Sequence, residues 1–377
     1  MIYLDYSATT PVSLEVLDTI NKTTKDYIGN SNSLNRLGTE AANLIEKSKE
    51  QIAELLVCES KDIYFTSGAT ESNNLALIGV AFANHRRGKH IITSKLEHPS
   101  IKNICEYLKN KGYEISYVNN DKDGLIDFDH LKSLIREDTI LVSICAVNSE
   151  MGIRQPLKMI RQIIKKENNA TYFHSDITQA LGKIPINLND LDMASASAHK
   201  IYGPKGIGLF YKNKFIRIDP LLFGGISNEL VPGTPPLPLI VGFAKSIRLA
   251  VSDIDNKTSF INKLNEKIVD HIKQKENVLI NKSNYSIPHI LNFSIINVEA
   301  ETFIRAMDEK NIYLGVNTAC SSGDTSDAIF AVYNDLLRAR HTIRLSLSHI
   351  TSLSDVNVFL EAFDEIYDNL VQLKKVS

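Results

Sequence analysis

A lysine that precedes a tight turn is the residue of this 377-residue chain best suited to covalent chemistry. The apolar run Leu191–Ala196 predicts a buried strand, and Lys200 follows it closely, just before the Gly/Pro-rich stretch Gly203–Gly206. Desolvation at a buried strand end would lower the pKa of the amine and make it a nucleophile, suited to a Schiff base with an aldehyde. The alternative from this stretch alone is an ordinary solvated lysine in a turn.

Polar residues also follow several other predicted strands. They are Ser67–Thr70, His98, Asn148–Glu150, Asp176–Gln179 and Ser197–Lys200. Because parallel strands present their C-terminal ends at one edge of a sheet, one ligand there would explain all of these residues together. Taken singly, each has a structural alternative, such as a helix cap at Ser67–Thr70 or a structural histidine at His98.

Two of these strand ends indicate particular chemistry. Between a predicted strand and a helix, Ser67–Glu71 would direct free backbone N–H groups and a helix dipole at one point, which suits an anion, and the Thr70 hydroxyl could add a bond to a phosphate. A carboxylate at the end of a buried strand is costly without a cation or several donors. A protonated pyridine nitrogen would be such a partner for Asp176.

Strands alternate with helices through the first 250 residues, which predicts an α/β fold whose largely parallel sheet is covered on both faces. We expect three parts. Residues 1–12 form a segment that packs on the small domain, residues 13–250 form the large domain, and residues 251–377 form a smaller α+β domain. The large domain would carry the residues described above.

The composition indicates a globular protein with a near-neutral charge. The chain is 43% hydrophobic and 23% charged, with a net charge of −2, so no basic patch for nucleic acid or an anionic membrane is indicated. No apolar run approaches the roughly 20 residues that a membrane span needs, and the first residues carry neither a basic region nor a long apolar core, so we expect no export signal. The four cysteines are far apart, which argues against disulfides and a zinc site and fits the cytoplasm.

One cysteine differs from the others. Cys58, Cys105 and Cys145 stand among apolar residues, where cysteines usually serve packing. Cys320 lies in the polar stretch Asn317–Asp327, which has no apolar periodicity and predicts an accessible loop. An accessible thiol is available for chemistry, although an incidental surface cysteine is the alternative.

Four blocks of this chain together resemble the cysteine desulfurases of the NifS and IscS kind, which are class V aminotransferases and use pyridoxal phosphate (PLP). The blocks are Tyr3–Pro11, Thr66–Asn74, His174–Gln179 and Ser197–Gly206. They occur in the family's order, and the resemblance runs from Tyr3 to about Arg344. It implies the PLP-dependent transferase fold of type I.

The resemblance also implies roles. Lys200 would bind the PLP aldehyde and act as the proton-transfer base, Asp176 would keep the pyridine nitrogen protonated, and His98 would stack on the ring and act in acid–base steps. The other cofactor contacts implied are Ala69, Thr70, Ser197 and His199 at the phosphate, Gln179 at the phenolic oxygen, Ser149 near the cofactor, and Thr234 at the phosphate of the neighbouring subunit of a homodimer. Arg344 would bind the substrate carboxylate.

The implied reaction converts L-cysteine to L-alanine. Cys320 would attack the substrate sulfur, become a persulfide and carry the sulfur to an acceptor protein. Iron–sulfur cluster assembly, tRNA thiolation and DNA sulfur modification are all compatible with the family, and no direct contact with nucleic acid is expected.

Three departures from the family pattern leave alternatives open. Ser149 stands where the family has an asparagine, Asn35 replaces a histidine, and the loop 225–233 is a residue short and lacks basic residues. The chain could therefore be a related lyase or aminotransferase, for example one acting on selenocysteine. It could also be a weakly active paralogue that serves as a scaffold for sulfur-trafficking proteins.

Overall fold

The computed structural model describes residues 1–224, 230–315 and 325–376. The strands are β1 Ile2–Tyr3, β2 Ile63–Thr66, β3 His90–Ser94, β4 Glu114–Val118, β5 Thr139–Ser143, β6 Tyr172–Asp176, β7 Met193–Ser197, β8 Gly208–Lys212, β9 Val278–Ile280, β10 Ile290–Ile295, β11 Ile312–Tyr313 and β12 Thr342–Ser346. The helices are α1 Leu14–Asp26, α2 Arg36–Leu56, α3 Ala69–Asn74, α4 Val80–Asn84, α5 Pro99–Lys109, α6 Phe128–Leu134, α7 Leu157–Glu167, α8 Leu237–Val251, α9 Ile254–Ile272, α10 Ala300–Glu309, α11 Asp327–Tyr333, α12 Leu336–Arg340 and α13 Leu353–Val376.

The main sheet has seven strands in the order β2-β8-β7-β6-β5-β3-β4. Its strands run parallel except β8, which is antiparallel to both β2 and β7. The predicted α/β class with a largely parallel sheet is therefore confirmed. Strands β3, β5 and β7 are buried along their whole length, as expected of a sheet covered on both faces.

Strand β5 is shorter than the apolar run that predicted it. The run continues to Val147, but regular pairing ends at Ser143. Beyond that point the backbone still bonds to the β6 segment, with Ile144 N–H donating to His174 O and Ala146 N–H donating to Asp176 O. The chain therefore continues alongside β6 without regular pairing, and residues 145–149 lie at the C-terminal end of β6.

The C-terminal part contains a three-stranded antiparallel sheet in the order β12-β10-β9. The first residues of the chain join this part, because β1 pairs with β11 and the backbone N–H of Ser346 donates to Leu4 O. Leu4 is fully buried in the cluster that contains Phe293 and Phe363, which stabilises this attachment by roughly 2 kcal/mol. The domain boundaries at residues 12 and 250 stay a prediction.

No helix among the described residues has the length and apolar character that crossing a bilayer would require.

Candidate active site

A cavity of about 200 Å³ lies where the C-terminal ends of β2, β3, β5, β6 and β7 meet β12. Of the residues predicted for the site, those that line it are Ala69, Thr70, His98, Ser149, Asp176, Gln179, Ser197, His199, Lys200 and Arg344. Ser7 and Ala8 of the N-terminal segment complete one wall. Residues that are separated by up to about 340 positions thus face one space, as the strand-end argument expected.

Lys200 ends a short 3-10 turn that directly follows β7. Its Nζ donates to the backbone carbonyls of Ser7 and Ala8, at 2.6 Å each. The turn closes tightly, because a Cβ at Gly203 would lie 2.7 Å from Ser246 Oγ and 2.9 Å from the carbonyl of Ala198, so only glycine fits. The turn and the N-terminal segment together aim the lysine amine at the cavity.

Asp176 is the last residue of β6, and its carboxylate is buried. One oxygen accepts the Thr178 backbone N–H at 2.9 Å, and the other accepts Asn73 Nδ2 at 2.9 Å. A carboxylate can accept about four hydrogen bonds, so these two neutral donors leave lone pairs of Asp176 unused. The neighbouring Thr178 hydroxyl has no hydrogen-bond partner among the described residues. The wall therefore suits a cationic N–H from a ligand.

His98 caps α5 and faces the same cavity. The Ser100 backbone N–H donates to its Nδ1 at 3.1 Å, and the Ser100 hydroxyl lies 2.8 Å from the same nitrogen. Asn73 Nδ2 bonds that hydroxyl and also Asp176, so one amide connects the histidine with the carboxylate. Burial lowers the pKa of His98, which favours the uncharged imidazole at neutral pH. Because Nδ1 accepts the Ser100 N–H, the proton of the uncharged ring is on Nε2.

Residues predicted to bind an anion lie at the N-terminus of α3 and line the cavity. The Ala69 backbone N–H donates to Ser197 Oγ at 2.7 Å, so the first helical turn and the end of β7 are in direct contact. His199 Nδ1 bonds the Thr9 hydroxyl at 3.1 Å, and burial together with the Lys200 charge lowers the pKa of His199 to about 4. Phosphate groups are commonly bound by a helix N-terminus together with neutral hydrogen-bond donors.

Arg344 lies in the middle of β12 and is almost fully buried, with 2% of its surface exposed. Its Nη2 is paired with Asp5 at 2.9 Å, and its Nη1 donates to Ser149 O at 3.2 Å. The buried Nε–H has no hydrogen-bond partner in the described part of the chain. A buried guanidinium N–H without a partner costs free energy, and because Arg344 also lines the cavity, its guanidinium is suited to an anionic ligand there.

One described residue predicted for the site, Thr234, does not line this cavity. Thr234 is exposed and lines a separate groove of about 410 Å³, which also contains Ser67 and Gly206. Cys320 lies outside the described residues. The described chain on either side is held near the cavity: Gly315 exchanges two backbone hydrogen bonds with Arg344, and Ser326 Oγ donates to the buried Glu150.

Sequence reasoning missed several groups of the site. The carbonyls of Ser7 and Ala8 bind Lys200, although a sequence does not reveal which backbone oxygen a distant lysine meets. Cys145, interpreted as a packing residue, is indeed buried but lines the cavity. Glu97, directly before His98, was not singled out from the sequence, and it is buried.

Glu97 belongs to a buried cluster behind the cavity. Its Oε1 accepts the Ser94 hydroxyl at 2.6 Å and the Cys145 backbone N–H at 2.9 Å, while Oε2 has no partner among the described residues. Burial raises the pKa of Glu97 from 4.5 to about 7. The carboxyl is therefore protonated over much of the neutral range, unlike an exposed glutamate.

The substitution Glu97→Gln is expected to reduce the loss of unfolding free energy that occurs as the pH rises. A raised folded-state pKa contributes stability that is fully present below about pH 4.5 and is lost as the pH rises through about 7. Glutamine keeps the acceptor oxygen and has no charge, so the unfolding free energy of the variant should gain about 3 kcal/mol relative to wild type between about pH 4.5 and 8. Urea unfolding at both pH values measures this, and the exposed control Glu106→Gln should show no such gain.

The comparisons with known proteins agree with this geometry. A model of the aminotransferase class-V family matches residues 2–359. The chain is 37% identical to a protein named cysteine desulfurase IscS from Dictyoglomus turgidum, over 98% of this chain and 95% of the relative. It is 39% identical to the protein of the same name from Buchnera aphidicola, over 100% and 94%. The chain belongs to the cysteine desulfurase group of the class-V aminotransferase family.

A solved structure described as a NifS-like protein superimposes on this member of the family with a TM-score of 0.93 at 35% identity, covering 98% of this chain and 100% of the other. The resemblance based on four sequence blocks is thus confirmed over nearly the whole chain. The cysteine desulfurases and the other class-V aminotransferases depend on PLP.

Two positions where this cysteine desulfurase relative departs from the family pattern have structural explanations. Asn35 is the N-cap of α2, and its side chain accepts the Gly38 backbone N–H at 2.9 Å. Asparagine is among the best residues for that task, so the substitution for histidine is compatible with the helix start. At Ser149 the backbone carbonyl binds Arg344 Nη1, a contact that does not depend on the side chain.

Proposed function

We propose that this protein is a PLP-dependent cysteine desulfurase that converts L-cysteine to L-alanine and holds the sulfur as a persulfide on Cys320. The observation that carries the proposal is the convergence of Lys200, Asp176 and Arg344 on one cavity. An amine, a carboxylate short of donors and a guanidinium short of an acceptor are what an aldehyde cofactor and an amino-acid carboxylate require together.

The residues of the cavity fit PLP. Lys200 would hold its aldehyde, Asp176 its ring nitrogen and Gln179 its ring oxygen, and His98 would stack on the ring. The phosphate contacts would come from Ala69, Thr70, Ser197 and His199, and Ser149 lies close by. When bound, PLP supplies an electron sink that makes the substrate Cα–H acidic. The fit is supported by the unpaired buried groups at Thr178 and Arg344, and by the N-terminus of α3, whose Ala69 and Thr70 line the cavity beside Ser197.

Proton handling follows from the positions of two side chains. Lys200 Nζ, once displaced by the substrate amine, would take the Cα proton. His98 carries its proton on Nε2 when neutral and would exchange a proton with the substrate thiol. The Cys320 thiolate then attacks the substrate sulfur, the carbon–sulfur bond breaks, and a carbon–hydrogen bond takes its place. Alanine and a persulfide account for every atom, with no external oxidant or reductant.

The oligomeric state and the fate of the sulfur belong to the same proposal. Thr234 is exposed at a groove beside the α3 N-terminus, which supports a homodimer in which it reaches the partner's phosphate site. The persulfide would pass to a sulfur-acceptor protein in the cytoplasm.

Arg344→Lys is expected to raise KM for L-cysteine by roughly 10–100-fold, because a charge-assisted hydrogen bond contributes about 1.5–3 kcal/mol. Lysine keeps the positive charge near Asp5 but loses the planar fork that binds a carboxylate. Steady-state kinetics with L-cysteine provide the measurement. The exposed control Arg340→Lys should leave KM unchanged, and an unaltered KM in Arg344→Lys would remove this residue from substrate binding.

Substrate comparison separates the proposal from its alternatives. Purified protein with added PLP is given L-cysteine or L-selenocysteine, and alanine and the released chalcogen are quantified. Similar turnover of both substrates, or faster turnover of cysteine, supports the desulfurase. Activity confined to selenocysteine would favour a lyase for that amino acid. Protein that stays colourless with added PLP would favour a scaffold.

A further inference from the structure

The amide of Gln179 is held by a second lysine that the proposed chemistry does not use. Lys183 stands four residues after Gln179, and its Nζ donates to Gln179 Oε1 at 2.7 Å. The other end of the amide, Nε2, donates to Ser7 O at 2.8 Å. Because a lysine Nζ can only donate here and a carbonyl can only accept, the two contacts define the same orientation of the amide.

Ser7 O is shared by the two groups that would contact the cofactor. It accepts Lys200 Nζ at 2.6 Å as well as Gln179 Nε2, and the Ser7 backbone N–H is fixed by Ser346 Oγ at 2.9 Å. The orientation of the Gln179 amide is therefore fixed at both ends: Lys183 donates to its oxygen, and the Ser7 carbonyl accepts from its nitrogen. One amide hydrogen of Nε2 remains for a ligand in the cavity.

The surroundings of Lys183 are cationic. It lines a small cavity of about 30 Å³ behind Lys200, together with Lys257, His289 and His349. Burial, with Lys200 and Arg344 nearby, lowers the pKa of Lys183 to about 7, and Lys183 in turn helps to lower the pKa values of His199 and His289. Both the amine and the ammonium form can donate to Gln179, so the contact does not depend on the charge state.

We propose that Lys183 is a positioning residue, which holds the Gln179 amide with its N–H side toward the cavity and so makes Gln179 a donor rather than an acceptor at the cofactor ring oxygen. The inference rests on the proposed function, because it concerns bound PLP. Donation from Gln179 stabilises the ionised ring oxygen. It thereby lowers the pH at which the nitrogen that joins Lys200 to the cofactor loses its proton.

The test is a pH titration of the visible absorption band of the resting PLP-loaded protein, without substrate. In Lys183→Met the midpoint should rise by about one pH unit, the size expected when a hydrogen bond to a charged group is weakened. Lys183→Arg retains a donor and should shift by less than half as much. Lys183→Leu serves as a second variant if the methionine variant does not fold.

The matched control is Lys257→Met. Lys257 lines the same small cavity, but its Nζ donates to the carbonyls of Leu249 and Ser252 and not to Gln179. A shift of equal size in this control would show a general effect of charge and would overturn the positioning role. In a Gln179→Leu background, Lys183→Met should cause no further shift.

The outcomes are distinguishable from a failure of the proposed function. If the wild-type protein binds PLP and titrates but Lys183→Met has the wild-type midpoint, the positioning role alone is wrong. If the wild-type protein forms no visible band with PLP, the proposed function fails, and the role of Lys183 fails with it.

Discussion

Lys200→Ala is expected to abolish the covalent attachment of PLP and to lower desulfurase turnover by roughly 10²–10⁴-fold, the range that a general base usually contributes. Lys200 is the lysine in the main cavity, 2.6 Å from the carbonyls of Ser7 and Ala8. Without its amine, no group at this position could bind the aldehyde or take the Cα proton. Borohydride reduction followed by peptide mapping should find the modified lysine in the wild-type protein and none in the variant.

The matched control for this experiment is Lys205→Ala. Lys205 lies five residues further along and is exposed, so its removal should leave both the adduct and the turnover unchanged. An adduct that maps to Lys205 or to Lys183 would contradict the assignment of Lys200.

Cys320→Ala is expected to bind PLP and L-cysteine as the wild type does but to form no protein persulfide. Sulfur release should fall by roughly 10³-fold or more, as is usual when a nucleophile is removed. Single-turnover reaction with L-cysteine, followed by alkylation and mass spectrometry of the intact protein and its peptides, measures the persulfide directly. Variants that release sulfur at the wild-type rate would show that another group accepts it.

Cys145 provides a demanding control, because its thiol lies in the wall of the cavity. Burial, with Glu97 and Asp176 nearby, raises the pKa of Cys145 well above its ordinary value, so it is a poor nucleophile at neutral pH. Cys145→Ala should therefore keep persulfide formation. A persulfide on Cys145 in the wild-type protein would contradict the role of Cys320.

The strand-end argument succeeded where local patterns determine geometry. Buried apolar runs such as the one before Lys200 are strands, and parallel strands place the residues after them at one edge, so Asp176, His98 and Lys200 could be grouped without a structure. The helix N-terminus at Ala69 was predicted for the same reason, since a strand, a glycine turn and a helix follow one another in the sequence.

The groups that escaped prediction depend on distant parts of the chain. Lys200 meets Ser7, and Arg344 meets Asp5, across 193 and 339 positions respectively. A Cβ at Gly315 would lie 2.6 Å from Asp5 Oδ1 and 2.9 Å from Arg344 Nη2, so any larger residue there would disturb this ion pair, which no local pattern indicates. Glu97 was missed because a polar side chain before a histidine and a proline usually predicts a loop, whereas here it is buried and accepts the Cys145 backbone N–H from beyond the end of another strand.

The most direct test of the central claim follows cofactor and product in one sample. The purified protein is loaded with PLP, its visible spectrum is recorded, L-cysteine is added, and alanine is quantified in the same tube. We expect a visible band that changes as soon as L-cysteine is added, and alanine equal in amount to the sulfur bound and released. A protein that gains no band with PLP, or whose band changes without any alanine, would contradict the account.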